Sequence, residues 1–288
     1  MPGETRRTIF AQPDWLRGVP TDRRLPADAT VVHTGCGTSF HAAQTGGFAV
    51  QALELVLRPP YADILVCVSH EGATPLTMEA ERAFGGDVWL VTGNPESELA
   101  ELVDEVVVCT PELERSWCHT ASYTCAVAAL EALHGEEIDR LPGAVEQALA
   151  QPVERFEESR VLLVGAGRDW PTAQEAALKL REGAWVDATA YETEQLLHGH
   201  LAAVDETVRA YVLEGEGRAA ERAADAAAAL EKLGCRVELV PTQHPVVDIV
   251  RFQLLTLAVA EARGIDPDPI RRTAGSPWAE AAGEPYPG

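Results

Sequence analysis

The chain has 288 residues, 46% hydrophobic and 24% charged, with 23 Lys and Arg against 45 Asp and Glu for a net charge of −22. That length and composition exclude a disordered or fibrous chain and fit one or two folded domains. The charge opposes nucleic acid and anionic lipid, so neither is expected as a partner.

No apolar run reaches the roughly 18 residues of a membrane span, and the first residues lack the apolar core of a signal peptide, which makes the cytoplasm the expected location. The six cysteines show no Cys-x-x-Cys spacing and read as free thiols. Cys118 and His119, with Cys125 beyond them, lack a second Cys/His pair at zinc spacing, so no metal is expected.

Residues 1–29 read as an N-terminal arm. From residue 30, short apolar runs alternate with longer Ala/Leu/Glu-rich stretches, the pattern of buried parallel strands joined by crossover helices, so the class is α/β. In residues 30–150 the pattern predicts strands at Thr30–Thr34, Asp63–Ser69, Asp87–Thr92 and Glu105–Cys109. Helices are predicted over Ser39–Leu57, Thr74–Phe84, Glu98–Val103 and Thr120–His134. A join falls between Leu141 and Pro152, where Pro and Gly interrupt the helical pattern and a short helix bridges the halves. Residues 151–265 repeat the plan, with strands near Val161–Val164, Ala188–Thr189, Val208–Val212 and Arg236–Val240. Their helices are predicted near Thr172–Gly183, Gly217–Leu233 and Val247–Arg263. Residues 266–288 read as an irregular C-terminal strap whose last dozen residues are mobile.

An internal repeat is visible at an offset of 130 residues, laying Val32-His33-Thr34-Gly35-Cys36-Gly37 over Leu162-Leu163-Val164-Gly165-Ala166-Gly167. In each copy a strand meets a Gly-x-Gly turn and then a helix. In the first copy Gly37, Thr38 and Ser39 bring backbone N–H groups and two hydroxyls to a helix start, which suits an anion or polyol, although such turns also serve tight strand-to-helix packing. The third glycine of a dinucleotide fingerprint is absent. Ser69-His70-Glu71-Gly72-Ala73-Thr74 forms a second hydroxyl-rich turn, in which Thr74 also suits a helix cap. Glu175, Lys179 and Glu182 fall on one helical face and also fit a solvated ion-pair stripe. His198 and His200 fit loop histidines, a metal pair or an acid/base near neutral pH.

Taken in order, Gly35-Cys-Gly-Thr-Ser39, Ser69-His-Glu-Gly-Ala-Thr74, Glu175-Ala-Ala-Leu-Lys-Leu-Arg-Glu182, Ala190-Tyr191 and Leu197-His198-Gly199 resemble the signatures of the tandem sugar isomerase (SIS) family. The likeness is to the isomerase half of glucosamine-6-phosphate synthase and to stand-alone aminosugar isomerases, deaminases and deglycases. It implies two SIS domains, each a parallel-sheet sandwich of flavodoxin-like type, in a homodimer with shared sites. It further implies that Gly37, Thr38, Ser39, Ser69, His70 and Thr74 hold a sugar phosphate, and that Glu182 moves a proton between C1 and C2. His198, contributed to the partner's site, would assist ring opening, Lys179 would lie near the centre, and no cofactor would be needed.

Three departures bear on this. The chain shows no early cysteine nucleophile of a glutaminase, Gly275 stands where the family carries an imine-forming lysine, and Glu71 places a carboxylate in the phosphate loop. Glu71 therefore points away, sits beside a protonated His70, or signals a ligand without phosphate. The resulting expectation is a sugar or aminosugar isomerase or deaminase, with a non-catalytic sugar-phosphate sensor or an inactive paralogue as the alternative.

Overall fold

Ile-Leu-Val-Cys-Val, residues 64–68, is apolar at every position rather than at alternate ones, and in the computed structural model all five are buried, as a central parallel strand requires. The structure describes residues 3–283. They divide into two units, residues 3–144 with 268–283 and residues 145–267.

The first unit runs α1 (Glu4–Arg17), β1 (Val31–Thr34), α2 (Thr38–Ala43), α3 (Ala52–Leu57), β2 (Ile64–Val68), α4 (Pro75–Ala83), β3 (Asp87–Thr92), β4 (Glu105–Val108) and α5 (Ala121–Leu133). Its sheet has the order β1-β2-β3-β4, every pair parallel, with His33 beside Val66 and Cys67 beside Leu90. Leu65, Cys67, Leu90 and Leu99 pack beneath it in one buried cluster.

A continuous helix over Ser39–Leu57 does not form. Gly47 takes φ 122, and residues 48–50 return alongside β1: the His33 N–H donates to the Phe48 carbonyl and the Val50 N–H to the His33 carbonyl, both at 2.9 Å. Gly46 permits this return, since a Cβ there would lie 2.5 Å from the His33 ring. Glu98–Val103 likewise shortens to one 3-10 turn, Leu99–Glu101, because the Leu99 N–H is drawn to the Gly72 carbonyl at 3.1 Å.

The N-terminal arm carries α1, which the sequence pattern did not reveal because Pro13 lies inside it. Proline cannot donate to the Ile9 carbonyl, and the Gln12 side chain does so instead at 2.8 Å.

After α6 (Leu141–Leu149), the second unit runs β5 (Arg160–Gly165), α7 (Trp170–Ala184), β6 (Asp187–Glu192), α8 (Thr193–Leu197), β7 (Val208–Leu213), α9 (Arg218–Lys232), β8 (Arg236–Val240) and α10 (Pro245–Arg263). Pro142 falls in the first turn of α6, where no intrahelical donor is needed, so it starts the helix rather than interrupting it. The sheet order is β6-β5-β7-β8, again all parallel, with the apolar side of α9 on Val164, Val208 and Val212. The C-terminal strap contains α11 (Pro277–Gly283) rather than irregular chain, and the remainder of the expected mobile tail, residues 284–288, lies outside the described residues.

The two Gly-x-Gly turns are built alike. Gly37 and Gly167 both take φ 56, and a Cβ on Gly35 or Gly165 would meet backbone of Ser39 or Asp169 at 2.8 Å. Because residues 48–50 flank β1 as β6 flanks β5, each turn sits where the strand order reverses. Open α/β sheets offer their ligand crevices at such points.

Candidate functional site

Thr38 and Ser39 open α2, and the Ser39 N–H turns back to the Cys36 carbonyl at 3.1 Å. With His70, Thr92, His119 and Ser122 they line a slot of about 10 Å³, room for one water. Ser69 and Thr74 do not line that slot; their hydroxyls meet each other at 3.3 Å.

His70 is buried, and its Nε2 accepts from the Glu114 N–H at 2.9 Å, which puts the ring proton on Nδ1. Nδ1 has no partner among the described residues and belongs to a slot-lining ring, so it is a donor held ready. Burial pushes the His70 pKa down against the pull of Glu114 and Glu71, so the expected protonated His70 beside Glu71 does not fit. Glu71 is exposed and absent from the slot lining, while its carbonyl accepts from the Asn94 amide at 3.2 Å. Of the three accounts of Glu71, the one that turns it away from the slot matches the geometry.

Glu114 and Ser122 escaped the sequence reading, which weighed His119 only as a metal ligand. The buried Glu114 carboxylate accepts the N–H groups of Thr120, Ala121 and Ser122 at 2.9–3.1 Å, together with the Thr120 and Ser122 hydroxyls, and so caps α5 from a distance. Burial raises its pKa, but His119, the Ser122 hydroxyl and His70 outweigh this and hold it below the usual carboxylate range. His119 stacks edge-on against His70 with ring centres 5.1 Å apart. The Cys118-His119 dipeptide, weighed above for metal, builds this wall instead; among the described residues no group of three His, Cys, Asp or Glu is placed to hold a metal ion.

In the second unit, α7 carries Glu175, Lys179 and Glu182. A solvated stripe does not describe them, since Glu175 and Lys179 are each about 1% exposed at the side chain. The Lys179 ammonium lies 2.5 Å from Glu182 Oε2 and 3.4 Å from Glu175 Oε1. Glu182 keeps 22% exposure, so this pair presents one accessible carboxylate backed by a buried cation.

His198 ends α8 with its side chain 76% exposed, and its Nε2 lies 3.3 Å from Glu194. Gly275 takes φ 78 in a turn of the first unit, with open space where a side chain would start. Cys36 is half-buried and the other five cysteines are buried; all six are free thiols.

No family model matches the chain. It is 26% identical over 310 aligned residues to the glutamine–fructose-6-phosphate aminotransferase (isomerizing) of Gloeobacter violaceus, covering 85% of this chain and 51% of that protein. The chain thus spans about half the length of the curated relatives it matches. Among solved structures, the C-terminal domain of glucosamine-fructose-6-phosphate aminotransferase from Francisella tularensis superposes with TM-score 0.73 at 19% identity, covering 93% of this chain and 98% of that one. Glucosamine-6-phosphate deaminase from Thermotoga maritima gives TM-score 0.75 at 20% identity, covering 93% and 97%.

The fold is therefore that of the phosphosugar isomerases, the SIS fold. Within it, this chain is homologous to the isomerase half of the glutamine–fructose-6-phosphate aminotransferases.

Proposed function

We propose that the chain is a tandem SIS enzyme that isomerises or deaminates a sugar or aminosugar phosphate. The observation that carries the reading is Glu182, an accessible carboxylate held 2.5 Å from the buried ammonium of Lys179 in a fold shared with phosphosugar isomerases. An adjacent cation favours the ionised carboxylate, the form a general base needs.

In an open-chain sugar the carbonyl acidifies the neighbouring C–H bond. Glu182 takes that proton while the C–H electron pair moves onto the carbonyl oxygen, giving an enediolate, or an amino-enolate from an aminosugar, whose negative charge shifts to the neighbouring hydroxyl oxygen or amine nitrogen as that group's proton passes to the first oxygen. The same carboxyl returns the proton to the adjacent carbon, and from an aminosugar the resulting imine is hydrolysed by water to release ammonia. Lys179 positions Glu182.

The phosphate is held by Thr38, Ser39 and His70, which line the slot, and by Ser69 and Thr74, whose hydroxyls meet outside its lining, through hydroxyls, amides and the His70 Nδ1–H, without net positive charge. His198, exposed and held by Glu194, serves ring opening in a neighbouring copy of a cytoplasmic homodimer. Glycine at 275 leaves no amine there for an imine with the substrate, so the proton shuttle alone carries the chemistry.

The test is solvent exchange. Fructose 6-phosphate and glucosamine 6-phosphate are incubated with the chain in deuterated water, and label at C1 and C2 and released ammonia are read. Glu182→Gln is expected to slow exchange by about 10²–10⁴-fold with ligand affinity unchanged. Exchange at the wild-type rate in that variant refutes the assignment, and tight binding without exchange by the wild type supports the sensor.

A further inference from the structure

We infer that the second unit holds a ligand site of its own, at the carboxyl ends of β5 and β7, and that it takes a small ammonium-bearing polyol, an aminosugar without phosphate being the class that fits. A cavity of about 200 Å³ opens there, lined by Gly167, Arg168, Asp169, Glu216, Thr242 and His244 among others. It lies at the point where the strand order reverses, the counterpart of the slot in the first unit, yet it is far roomier than that slot's 10 Å³. Ligands of α/β sheets are held at this place in the fold.

The chemistry differs from that of the first unit. The 130-residue offset sets Arg168 and Asp169 where the first copy has Thr38 and Ser39. Asp169 is only 6% exposed and occupies the N-cap position of α7, but its carboxylate makes no capping hydrogen bond. Instead Oδ2 accepts from the Thr242 hydroxyl at 3.1 Å, and that hydroxyl is itself fixed by the Gly215 N–H at 3.1 Å. Oδ1 receives no hydrogen bond among the described residues. An unpaired oxygen on a residue only 6% exposed, reached from an open cavity while its partner oxygen is already fixed, offers an acceptor to a donor on a ligand.

The neighbouring charges decide which donor. Glu216 lines the same cavity, and Asp248 lies behind its wall, accepting the N–H groups of Gln243 and His244. Burial pushes Asp169 up against the Thr242 hydroxyl and Arg168, with Glu216 adding to the rise, and it pushes Asp248 up to about 7 with Asp169 contributing. Two lining carboxyls, with a third behind the wall, set against the one guanidinium of Arg168 oppose a phosphate and reward an ammonium. Arg168 and the backbone around Gly167 suit the hydroxyl oxygens that such a ligand would also carry.

Calorimetry on the full chain tests this with D-glucosamine, its neutral isostere D-glucose, and fructose 6-phosphate as competitor. Glucosamine should bind at least tenfold more tightly than glucose. Asp169→Asn should weaken it tenfold or more, and Glu216→Gln, a change at an exposed residue that leaves folding intact, about threefold. Saturating fructose 6-phosphate should not displace it.

Equal binding of the two sugars, no binding of glucosamine, or wild-type affinity in both variants overturns the inference. Displacement by fructose 6-phosphate also overturns it, because it assigns the amine to the proposed phosphosugar site. None of these outcomes depends on whether Glu182 exchanges protons, so the two proposals fail separately.

Discussion

Acid should loosen the first unit through His33. The ring is buried beside β1, with Nδ1 3.1 Å from the Phe48 carbonyl and Nε2 3.1 Å from His134 Nε2. A carbonyl can only accept, so Nδ1 carries the proton and Nε2 accepts from His134. Burial lowers the His33 pKa from 6.5 to about 4, with His134 lowering it further against the Phe48 bond. Between those two values the unfolded chain binds a proton that the native ring refuses, so this contribution is complete above pH 6.5 and is lost as pH falls toward 4. The full difference is worth about 3 kcal/mol, of which about 2 kcal/mol is gone at pH 5. His134, whose pKa burial also lowers, acts in the same direction.

Urea unfolding from pH 8 to pH 5 reads the effect. His33→Asn keeps a donor for Phe48 but cannot titrate, and it should flatten the decline by about 2 kcal/mol relative to wild type. Carboxylates contribute equally to both proteins and cancel in the difference. An Asn variant that declines as steeply as wild type refutes the reasoning.

Asp268 binds the N–H groups of Gly3, Glu4 and Thr5 and the Thr5 hydroxyl at 2.6–3.2 Å, so Asp268→Ala should cost about 2 kcal/mol in thermal unfolding, as the loss of a strong helix cap does. Gly72→Ala introduces a Cβ at φ 65 only 2.0 Å from Ser97 Oγ, and it should destabilise by more than about 1 kcal/mol in the same assay. Burial raises the thiols of Cys67, Cys109 and Cys125, Cys109 to about 12, so in the native chain at pH 8 an aromatic disulfide reagent should titrate Cys36 long before these three. Because Glu71 is exposed, Glu71→Ser should change the affinity for fructose 6-phosphate by less than about threefold, measured by calorimetry.

The strands were legible because a parallel strand buried on both faces leaves an uninterrupted apolar run, as in residues 64–68. Helix limits were less so. Gly46 and Gly47 sit in an otherwise helix-friendly stretch, and the pairing of residues 48–50 with β1 is too short to leave an alternating pattern. Pro13 disguised α1, since its compensation by Gln12 depends on where one side chain turns.

At the candidate site, the hydroxyl-rich turns stood out by composition. The surroundings of His70 did not, because Glu114, His119 and Ser122 reach it from a segment separated from it by more than 40 residues. The spacing of Glu175, Lys179 and Glu182 on one face was readable, but spacing alone says nothing about whether a helix face meets water or protein. Only packing showed Lys179 to be buried.

That packing sets a charge balance. Lys179 lies between two carboxylates, so the group of three carries a formal charge of −1 while Glu182 is ionised and becomes neutral once Glu182 holds a proton. If Glu182 is the base, the moment at which negative charge appears on the substrate is the moment at which the protein interior sheds its own, and the total beneath the ligand does not grow. Glu175 sets that zero point. With Glu175→Gln the cluster would start neutral and turn cationic on loading, and proton exchange should slow while ligand affinity holds; a fall in affinity alone would count against this account.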